Sequence, residues 1–243
     1  AAGLGTRMRE LCHDCPKPMV RLLNKPLLEW RLETLPDEID EVILVVGYLQ
    51  EQIREYFGAE WQGRKITYIT QEVLNGSGGA MQLVAPYVQG SVLVTMGDDL
   101  YHPLDLKEFL ATPSGEGTIG GLYVENAQPF GLLGIDTGGK LVSVIERPHE
   151  RQTGDVCVGA YVLPQSFFSY PLVQITEKEF GLPQTVVVMA KDIPVAVKKV
   201  RAWQSVGCPE DIPKAEAFIQ HIDNPQIPLF TDLELEDYKV HAS

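Results

Sequence analysis

Residues 1–18 read AAGLGTRMRELCHDCPKP, a glycine-containing turn followed by arginine and lysine. Gly3 and Gly5 carry no side chain, so the backbone can turn tightly there and come close to a ligand. Hydroxyl and cationic groups follow around the turn, at Thr6, Arg7, Arg9 and Lys17. Backbone N–H groups combined with fixed positive charge have the chemistry of a polyphosphate cradle. The alternative is an ordinary surface turn with solvated basic side chains, and Gly-x-Gly alone favours that alternative.

The composition limits the classes of partner. The chain has 243 residues, 44% of them hydrophobic, so it can bury the core of one α/β domain with or without an added lobe. Its 33 acidic residues outnumber 20 Lys and Arg, which gives a net charge of −13. An acidic surface argues against nucleic acid or an anionic membrane as a partner, so any phosphate site must be a local basic pocket. No apolar run approaches the ~20 residues that span a bilayer.

Cysteine usage favours a reducing compartment. Four cysteines in a chain of this size do not suggest a disulfide framework, so we expect a cytoplasmic protein. Cys12 and Cys15 form a CxxC, but no second Cys/His pair has metal-ligand spacing, and two free thiols are favoured over a zinc or redox site.

Hydrophobic patterns predict alternating strands and helices in the first half of the chain. Residues 41–46 (EVILVV) are a continuous apolar run, which is typical of a buried parallel strand. Residues 50–57 predict an amphipathic helix and residues 65–70 a second strand, which together make a βαβ unit. Pro26 suits the first position of a helix that runs to about residue 35. Because the glycine turn of a nucleotide-binding α/β fold follows a strand, we expect a strand ahead of the turn that the present sequence omits.

The pattern changes after residue 112. Short strands separated by turns are typical of an antiparallel lobe built onto the first sheet. We predict these strands at 118–124, 131–135, 141–145 and 156–163. Residues 210–222 then predict a C-terminal helix. The tail, residues 223–243, is expected to wrap the surface or to contact another copy of the chain in a homo-oligomer.

A glycine-rich loop follows the strand that ends near residue 70. Residues 70–81 read TQEVLNGSGGAM, with three glycines in four positions that end the strand and open a helix. Such a loop lets a planar ring lie against the backbone, and the Gln71 amide can donate and accept hydrogen bonds at once. Those properties suit the recognition of a nucleobase edge. A connection without any ligand is an equally good interpretation of the loop by itself.

Two carboxylates end the next hydrophobic stretch. Residues 91–99 read SVLVTMGDD and predict a buried strand whose carboxyl end lies where α/β sheets gather their ligands. Magnesium takes hard oxygen ligands, usually one or two carboxylates completed by phosphate oxygens and water. Asp98 is the candidate ligand. Asp99 should point the opposite way if the strand continues, because successive side chains alternate. An Asp-rich turn without a metal is the alternative.

The chain resembles the sugar-phosphate nucleotidyltransferases, the enzymes that make NDP-sugars. The resemblance rests on Gly-x-Gly-Thr-Arg-Met with Pro16-Lys17-Pro18, on Gln71-x4-Gly-Ser, on Gly97-Asp98 and on Glu146-Arg147-Pro148. It implies a three-layer, Rossmann-like mixed sheet of the nucleotide-diphospho-sugar transferase (GT-A) type with a small antiparallel acceptor lobe. Residues 1–222 would form one domain, with a nucleotide-binding half (1–112) and a sugar-phosphate-binding half (113–222).

The resemblance also implies a reaction and a set of site residues. The enzyme would transfer a nucleotidyl group from an NTP to a sugar 1-phosphate with Mg²⁺, releasing pyrophosphate. Arg7, Lys17 and Asp98 would be catalytic, with Asp98 as the metal ligand. The nucleotide would be bound by Ala2, Gly3, Gly5, Thr6, Gln71, Gly76 and Ser77. The sugar phosphate would be bound by Gly131, Glu146, Arg147 and Gly159. Arg147 stands where the family usually has lysine, which is no neutral exchange because arginine is larger and rigid.

One departure bears on activity. Residues 203–209 (WQSVGCP) match a family segment whose aspartate often supplies a second carboxylate to the metal, and Ser205 stands at that position. A neutral hydroxyl is a much poorer Mg²⁺ ligand than a carboxylate. Two alternatives stay open. Ser205 supports a weak or inactive relative that binds nucleotide or NDP-sugar. The acceptor-side match is looser than the nucleotide-side match, which leaves a cytidylyltransferase for a non-sugar phosphate such as phosphocholine as the other alternative.

Overall fold

The computed structural model of the chain describes residues 2–3, 8 and 12–222. The predictions for Gly5, Thr6, Arg7 and the tail 223–243 lie outside the described residues. None of the helices in the described part has the length and hydropathy needed to cross a bilayer.

Helices and strands alternate along the described chain. The helices are α1 (Leu27–Glu33), α2 (Gln50–Phe57), α3 (Gly76–Val84), α4 (Pro103–Phe109), α5 (Leu182–Met189) and α6 (Ile212–Ile222). The strands are β1 (Arg21–Leu22), β2 (Lys25–Pro26), β3 (Glu41–Val46), β4 (Glu60–Trp61), β5 (Arg64–Thr70), β6 (Ser91–Thr95), β7 (Asp99–Tyr101), β8 (Gly117–Val124), β9 (Gly131–Ile135), β10 (Leu141–Glu146), β11 (Gly154–Pro164), β12 (Val173–Gln174), β13 (Phe180–Gly181), β14 (Val195–Lys199) and β15 (Trp203–Ser205).

The predicted βαβ unit is confirmed. Strands β3 and β5 are parallel, in register from Glu41 opposite Lys65 to Val46 opposite Thr70. Helix α2 connects them and buries Ile53 and Phe57, four positions apart, in the same hydrophobic cluster as the two strands. Because the strands are parallel, their carboxyl ends lie at one edge of the sheet, and the residues that follow both strands are brought together there.

The second sheet is mixed. Its strand order is β10-β9-β11-β8-β14, and β6 pairs with β11. Strand β14 runs parallel to β8, whereas the other pairs are antiparallel. Strand β11 buries Tyr161 and Leu163 in the cluster that includes α3 and α5, and Val158 and Val162 in the cluster that includes α4. Helices therefore cover both faces, which confirms the three-layer arrangement.

The prediction of one continuous strand over residues 91–99 is wrong in its extent. Strand β6 ends at Thr95, the chain turns over residues 96–98, and β7 begins at Asp99. The residue after β15 stabilises this turn, because the Val206 N–H donates a hydrogen bond of 3.0 Å to the Asp98 carbonyl oxygen. Asp98 thus lies in a turn rather than at the end of a continuous strand.

Helix α5 and strands β14 and β15 are not predicted from the sequence. Helix α5 reads LPQTVVVM, and its run of β-branched residues is more typical of a strand. Two features favour the helix. Pro183 stands in its first turn. One face of the helix is fully buried in the core, with side chains spaced three or four positions apart at Leu182, Val186 and Met189.

A buried carboxylate ties α4 to the start of β15. Asp105 is 2% exposed and accepts hydrogen bonds from the Arg201 backbone N–H at 2.8 Å and from Arg201 Nη1 at 2.5 Å. The N–H of Ala202 lies 3.4 Å from the same carboxylate. Strand β15 follows directly, so this contact sets the position of Ser205 relative to β7.

The loop before α3 is docked on the segment before α5. The Phe180 N–H donates to the Asn75 carbonyl at 2.8 Å, and the Leu182 N–H donates to the Ser77 hydroxyl at 3.1 Å. Gly76 has φ +87°, and a methyl group there would lie 2.5 Å from the Phe180 carbonyl oxygen. Only glycine fits this contact without movement of the backbone.

Removal of the Asp105 carboxylate should destabilise the fold. Asp105→Ala leaves two backbone N–H groups and a guanidinium without their buried acceptor, which should lower the free energy of unfolding by about 2–4 kcal/mol in urea denaturation. Glu108→Ala is the matched control, because Glu108 bonds the other terminal guanidinium nitrogen of Arg201 from a half-exposed position. Its loss should be clearly smaller. Equal losses would contradict the structural role of Asp105.

Two glycine substitutions separate backbone strain from steric contact. Gly63 has φ +78°, and a methyl group added there would have no other atom within 4 Å. Gly76 has a similar φ of +87°, but a methyl group there would lie 2.5 Å from the Phe180 carbonyl oxygen. Gly63→Ala should cost about 1–2 kcal/mol of unfolding free energy from the left-handed backbone alone. Gly76→Ala should cost ~1–3 kcal/mol more, because the Phe180 carbonyl must move. If the two variants unfold at the same denaturant concentration, the docking contact is wrong.

Candidate active site

The start of the chain meets the carboxyl edge of the β3–β5 pair. A methyl group on Gly47, the residue after β3, would lie 2.7 Å from the Ala2 carbonyl oxygen and 3.2 Å from Leu74. Ala2 is buried there. Gly3 is exposed, and a methyl group added to it would have no other atom within 4 Å. A cavity of about 260 Å³ opens at this edge and is lined by Gly47, Tyr48, Thr70, Gln71, Glu72 and Leu74.

Among the predicted nucleotide-binding residues that the structure describes, Gln71 lines this cavity. Its side chain is mostly buried, and Nε2 donates to Asn75 Oδ1 at 2.9 Å and to the Gly76 carbonyl oxygen at 3.1 Å. Gly76 and Ser77 do not line the cavity. They pack against the chain ahead of α5 instead, so in this structure they shape the loop that carries Gln71.

Lys17 and Asp98, which are 81 positions apart, form an ion pair. Lys17 Nζ lies 2.5 Å from Asp98 Oδ2. The lysine side chain is 11% exposed and the aspartate side chain 39% exposed. Lys17 lies in a 3₁₀ turn between Pro16 and Pro18, which fixes its backbone. A buried ammonium group therefore meets a carboxylate that solvent can still reach.

Asp99 has a different environment from Asp98. It is buried at the start of β7, opposite Ser205 in the β7–β15 pair. Burial raises the pKa of Asp99 to about 7, the negative charge of Asp98 acts in the same direction, and the Ser205 hydroxyl and Lys17 oppose the shift. One carboxylate thus faces solvent and the other faces the protein interior.

A second buried cation packs against Tyr101, whose hydroxyl lies near Asp99. Arg31 of α1 is 2% exposed, and its guanidinium carbon lies 4.9 Å from the centre of the Tyr101 ring. Burial lowers the pKa of Arg31 to about 10, and the charges of Tyr101 and Asp99 oppose that shift. The Tyr101 hydroxyl lies 2.9 Å from the Val158 carbonyl oxygen and 3.4 Å from Asp99 Oδ2. The sequence gives no signal for this arginine beyond its place on a helix.

The possible metal ligands near Asp98 suit a divalent cation that needs few ligands from the protein. Within the described residues, no three His, Cys, Asp or Glu side chains lie together as a metal site. What is available is one accessible carboxylate on Asp98, while the Ser205 hydroxyl bonds the neighbouring Asp99. That set suits a cation that takes most of its ligands from substrate phosphates and water.

The predicted sugar-phosphate residues lie on or directly after three neighbouring strands, β9, β10 and β11. Gly131 is paired with Glu146 in the β9–β10 register, and a methyl group on Gly131 would lie 3.2 Å from Glu146 Oε2. Arg147 is exposed, has φ +45° and donates its N–H to the Phe130 carbonyl at 3.0 Å. The Phe130 ring meets the Trp203 ring edge-on, with centroids 5.3 Å apart. This contact joins the β9–β10 pair to β15.

Gly159 connects the same region to Asp99. It has φ +72°, and a methyl group there would lie 2.6 Å from Met96 and 3.3 Å from Asp99 Oδ2. Burial raises the pKa of the nearby Cys157 thiol to about 11, and the charges of both Glu146 and Asp99 add to that shift. A methyl group on Gly131 would lie 3.8 Å from the Cys157 side chain, so Gly131 lies beside β11, the strand that carries both Cys157 and Gly159.

Two residues of the site have no role in the sequence-based prediction. Gly47 follows an apolar strand directly, and a glycine in that position signals a close approach of backbone. Asn75 stands immediately before Gly76 and holds the Gln71 amide. Its only signal in the sequence is its place in a glycine loop, where asparagine is common for other reasons.

Comparison with known proteins shows the family. The profile of the family described as "Nucleotidyl transferase" matches residues 1–222. The bifunctional protein GlmU of Methanocaldococcus jannaschii is 29% identical over 221 residues, which cover 90% of this chain and 52% of that protein. The D-glycero-alpha-D-manno-heptose 1-phosphate guanylyltransferase of Campylobacter jejuni is 32% identical over 168 residues, covering 69% and 75%.

A solved structure shows the same fold. The inositol-1-phosphate CTP transferase from T. maritima superimposes with a TM-score of 0.76 at 17% identity and covers 92% of this chain and 94% of that one. The fold is that of the GT-A-like nucleotide-sugar transferases, as the sequence predicted. The chain spans about half the length of the GlmU protein that it matches. With a family profile that extends over residues 1–222, the chain belongs to the nucleotidyl transferase family.

Proposed function

We propose that this protein transfers a nucleotidyl group from an NTP to a sugar 1-phosphate, forming an NDP-sugar and pyrophosphate. The observation that carries the proposal is the pair formed by a buried Lys17 and a solvent-accessible Asp98, 2.5 Å apart. The neighbouring Asp99 lies close to Gly159 of the acceptor side. The name of the Campylobacter jejuni relative, a heptose 1-phosphate guanylyltransferase, supports the same reaction class.

The proposed roles follow from the charges of the pair. A phosphate oxygen of the sugar 1-phosphate attacks the α-phosphorus of the NTP, and the bond to pyrophosphate breaks as the new P–O bond forms. Lys17 carries three hydrogens on Nζ, so it can keep its bond to Asp98 and still donate to an α-phosphate oxygen. Arg7, outside the described residues, is proposed to neutralise charge on the triphosphate. Catalysis then consists of positioning and charge stabilisation.

Members of this family generally use a divalent metal ion, and we propose Mg²⁺ held by Asp98. When bound, the ion would offset charge on the phosphate oxygens. Lys17 already occupies one carboxylate oxygen, Oδ2, so the other oxygen of Asp98 is the proposed ligand atom. Ser205 adds at most a neutral hydroxyl, which leaves phosphates and water to complete the coordination.

The two halves of the chain are proposed to divide the substrates. Residues 1–112 would hold the nucleotide, with the base in the cavity lined by Gln71. Residues 113–222 would hold the sugar phosphate, with Glu146 accepting hydrogen bonds from sugar hydroxyls and Arg147 donating to the phosphate. The four cysteines whose thiols are free in the structure support a proposed cytoplasmic location.

Loss of either partner of the central ion pair should nearly abolish turnover. Lys17→Ala and Asp98→Ala should each lower the rate of pyrophosphate release by about 10²–10³, because each removes a charge aimed at the phosphates. Lys25→Ala is the matched control. Lys25 forms a comparable pair with Glu33, also at 2.5 Å, on the β2–α1 segment. Its turnover should stay near that of the wild type.

The assay should combine each NTP with a panel of sugar 1-phosphates and with phosphocholine, in the presence of Mg²⁺. Near-normal turnover in Lys17→Ala or Asp98→Ala would overturn the proposed roles. Ser205 favours one competing function, a protein that binds nucleotide or NDP-sugar without turnover. Calorimetric titration with the same ligands distinguishes it, since tight binding without pyrophosphate release from any pair would identify a sensor.

A further inference from the structure

Arg31 carries a positive charge in the protein interior, without a carboxylate as hydrogen-bond partner among the described residues. The residue is 2% exposed. Its Nη1 donates to the Thr34 hydroxyl at 2.9 Å, and that hydroxyl donates to the Arg31 carbonyl, also at 2.9 Å. Nε and Nη2 are buried and have no hydrogen-bond partner in the described part of the chain. Because an unpaired buried guanidinium is costly, we expect its charge to be compensated through space.

Two groups near Arg31 can compensate its charge, the Tyr101 ring and the Asp99 carboxylate. Helix α1, which carries Arg31, packs on β7, which carries the other two residues. The guanidinium carbon lies 4.9 Å from the centre of the Tyr101 ring, whose π face attracts a cation. The Tyr101 hydroxyl lies 3.4 Å from Asp99 Oδ2. One buried ring therefore meets the cation with its face and the carboxylate with its hydroxyl, and the charge of Asp99 acts on Arg31.

The candidate site has two carboxylates on adjacent residues, Asp98 and Asp99. Lys17 Nζ lies 2.5 Å from Asp98 Oδ2, and its charge acts on Asp99 as well. With Lys17 alone, one ammonium group would face two negative charges. Arg31 supplies a second positive charge from the protein interior. Buried charges are screened only weakly, so a cation that makes no hydrogen bond to Asp99 still contributes to this balance.

We propose that Arg31 is the counter-charge of Asp99, which leaves Lys17 available to Asp98 and to the phosphates of the NTP. The inference rests on the proposed function, in which the triphosphate binds beside Lys17 and Asp98. Arg31 is buried, so it acts through these charged neighbours and is a positioning residue. The alternative is a purely structural arginine, which packs on Tyr101 and affects stability without setting the charge balance of the site.

The first test measures NTP affinity in Arg31→Met, in Asp99→Asn and in the double variant. Arg31→Met leaves one surplus negative charge beside the site and should weaken NTP binding about three- to tenfold. Asp99→Asn leaves one surplus positive charge and should tighten binding by a similar factor. The double variant restores the balance and should bind within about twofold of the wild type.

The affinities are measured by calorimetric titration with the NTP that the wild type binds most tightly. The buffer contains Mg²⁺ and is mildly alkaline, so that Asp99 is ionised. Opposite shifts in the two single variants are the expected result, because a structural defect would weaken binding in both. Shifts in the same direction, or no shift in Arg31→Met, would overturn the proposal.

Two further variants distinguish charge from packing. Arg31→Lys keeps the charge but loses the planar group that stacks on Tyr101, so NTP affinity should stay near that of the wild type. Arg64→Met is the matched control, because the Arg64 side chain is only 12% exposed and donates to the Ile39 carbonyl. Arg64 is the first residue of β5, at the end of the strand away from Gln71. Its loss should lower stability and leave NTP affinity unchanged. If Arg31→Lys weakens binding as much as Arg31→Met, packing and not charge is the cause, and the proposal is overturned.

Urea unfolding of the same proteins tests the pairing of Arg31 with Asp99 without any ligand. Each single variant leaves one buried charge uncompensated, so each should unfold at a lower urea concentration than the wild type. The double variant should lose less stability than the two single losses added together. A loss equal to their sum would show that the two residues are not coupled and would overturn the proposal.

The outcomes separate this inference from the proposed function. If no NTP binds the wild type and no pyrophosphate is released, the proposed function fails, and the role of Arg31 in triphosphate binding fails with it, whatever the unfolding data show. If NTPs bind and turn over but Arg31→Met and Asp99→Asn do not shift the affinity in opposite directions, only the role given to Arg31 is overturned.

Discussion

The contact between Lys17 and Asp98 organises the site. It joins a 3₁₀ turn near the start of the chain to the turn between β6 and β7, with Nζ and Oδ2 2.5 Å apart. A mostly buried ammonium group needs a partner, because an isolated charge is costly to remove from water. Asp98 supplies that partner and remains open to solvent on its other side. The same two charges can therefore stabilise the empty protein and bind a phosphate-bearing substrate.

The surrounding structure keeps Asp98 where Lys17 can reach it. The β7–β15 pair puts Ser205 opposite Asp99, and the Val206 N–H holds the Asp98 carbonyl. Asp105 fixes the start of β15 through Arg201. Gly159, which has no side chain, leaves room for the Asp99 side chain. Buried Arg31 lies within electrostatic range of Asp99. The solvent-exposed carboxylate thus depends on strands and helices that are distant in sequence.

Much of this could be predicted from sequence, for identifiable reasons. Residues 41–46 and 50–57 match β3 and α2 because apolar runs and helical periodicity are local signals. Lys17, Asp98 and Gln71 are candidates from residue type, spacing and the family resemblance, and their roles stay predictions. The break after Thr95 was not predicted, since it depends on pairing with β15 and on Val206. Helix α5 was not predicted because packing outweighs the strand preference of its valines. The hydrogen bond from Gln71 to Asn75 was not predicted either, because it depends on the space beside Gly79.

The most direct test of the proposed chemistry follows an oxygen atom. Sugar 1-phosphate labelled with ¹⁸O in its non-bridging phosphate oxygens would be incubated with NTP and Mg²⁺, and the products analysed by mass spectrometry. Attack on the α-phosphorus predicts that all of the label is found in the NDP-sugar and that the released pyrophosphate is unlabelled. Label in the pyrophosphate, or NTP binding with no NDP-sugar formed from any acceptor, would contradict nucleotidyl transfer at the Lys17–Asp98 site.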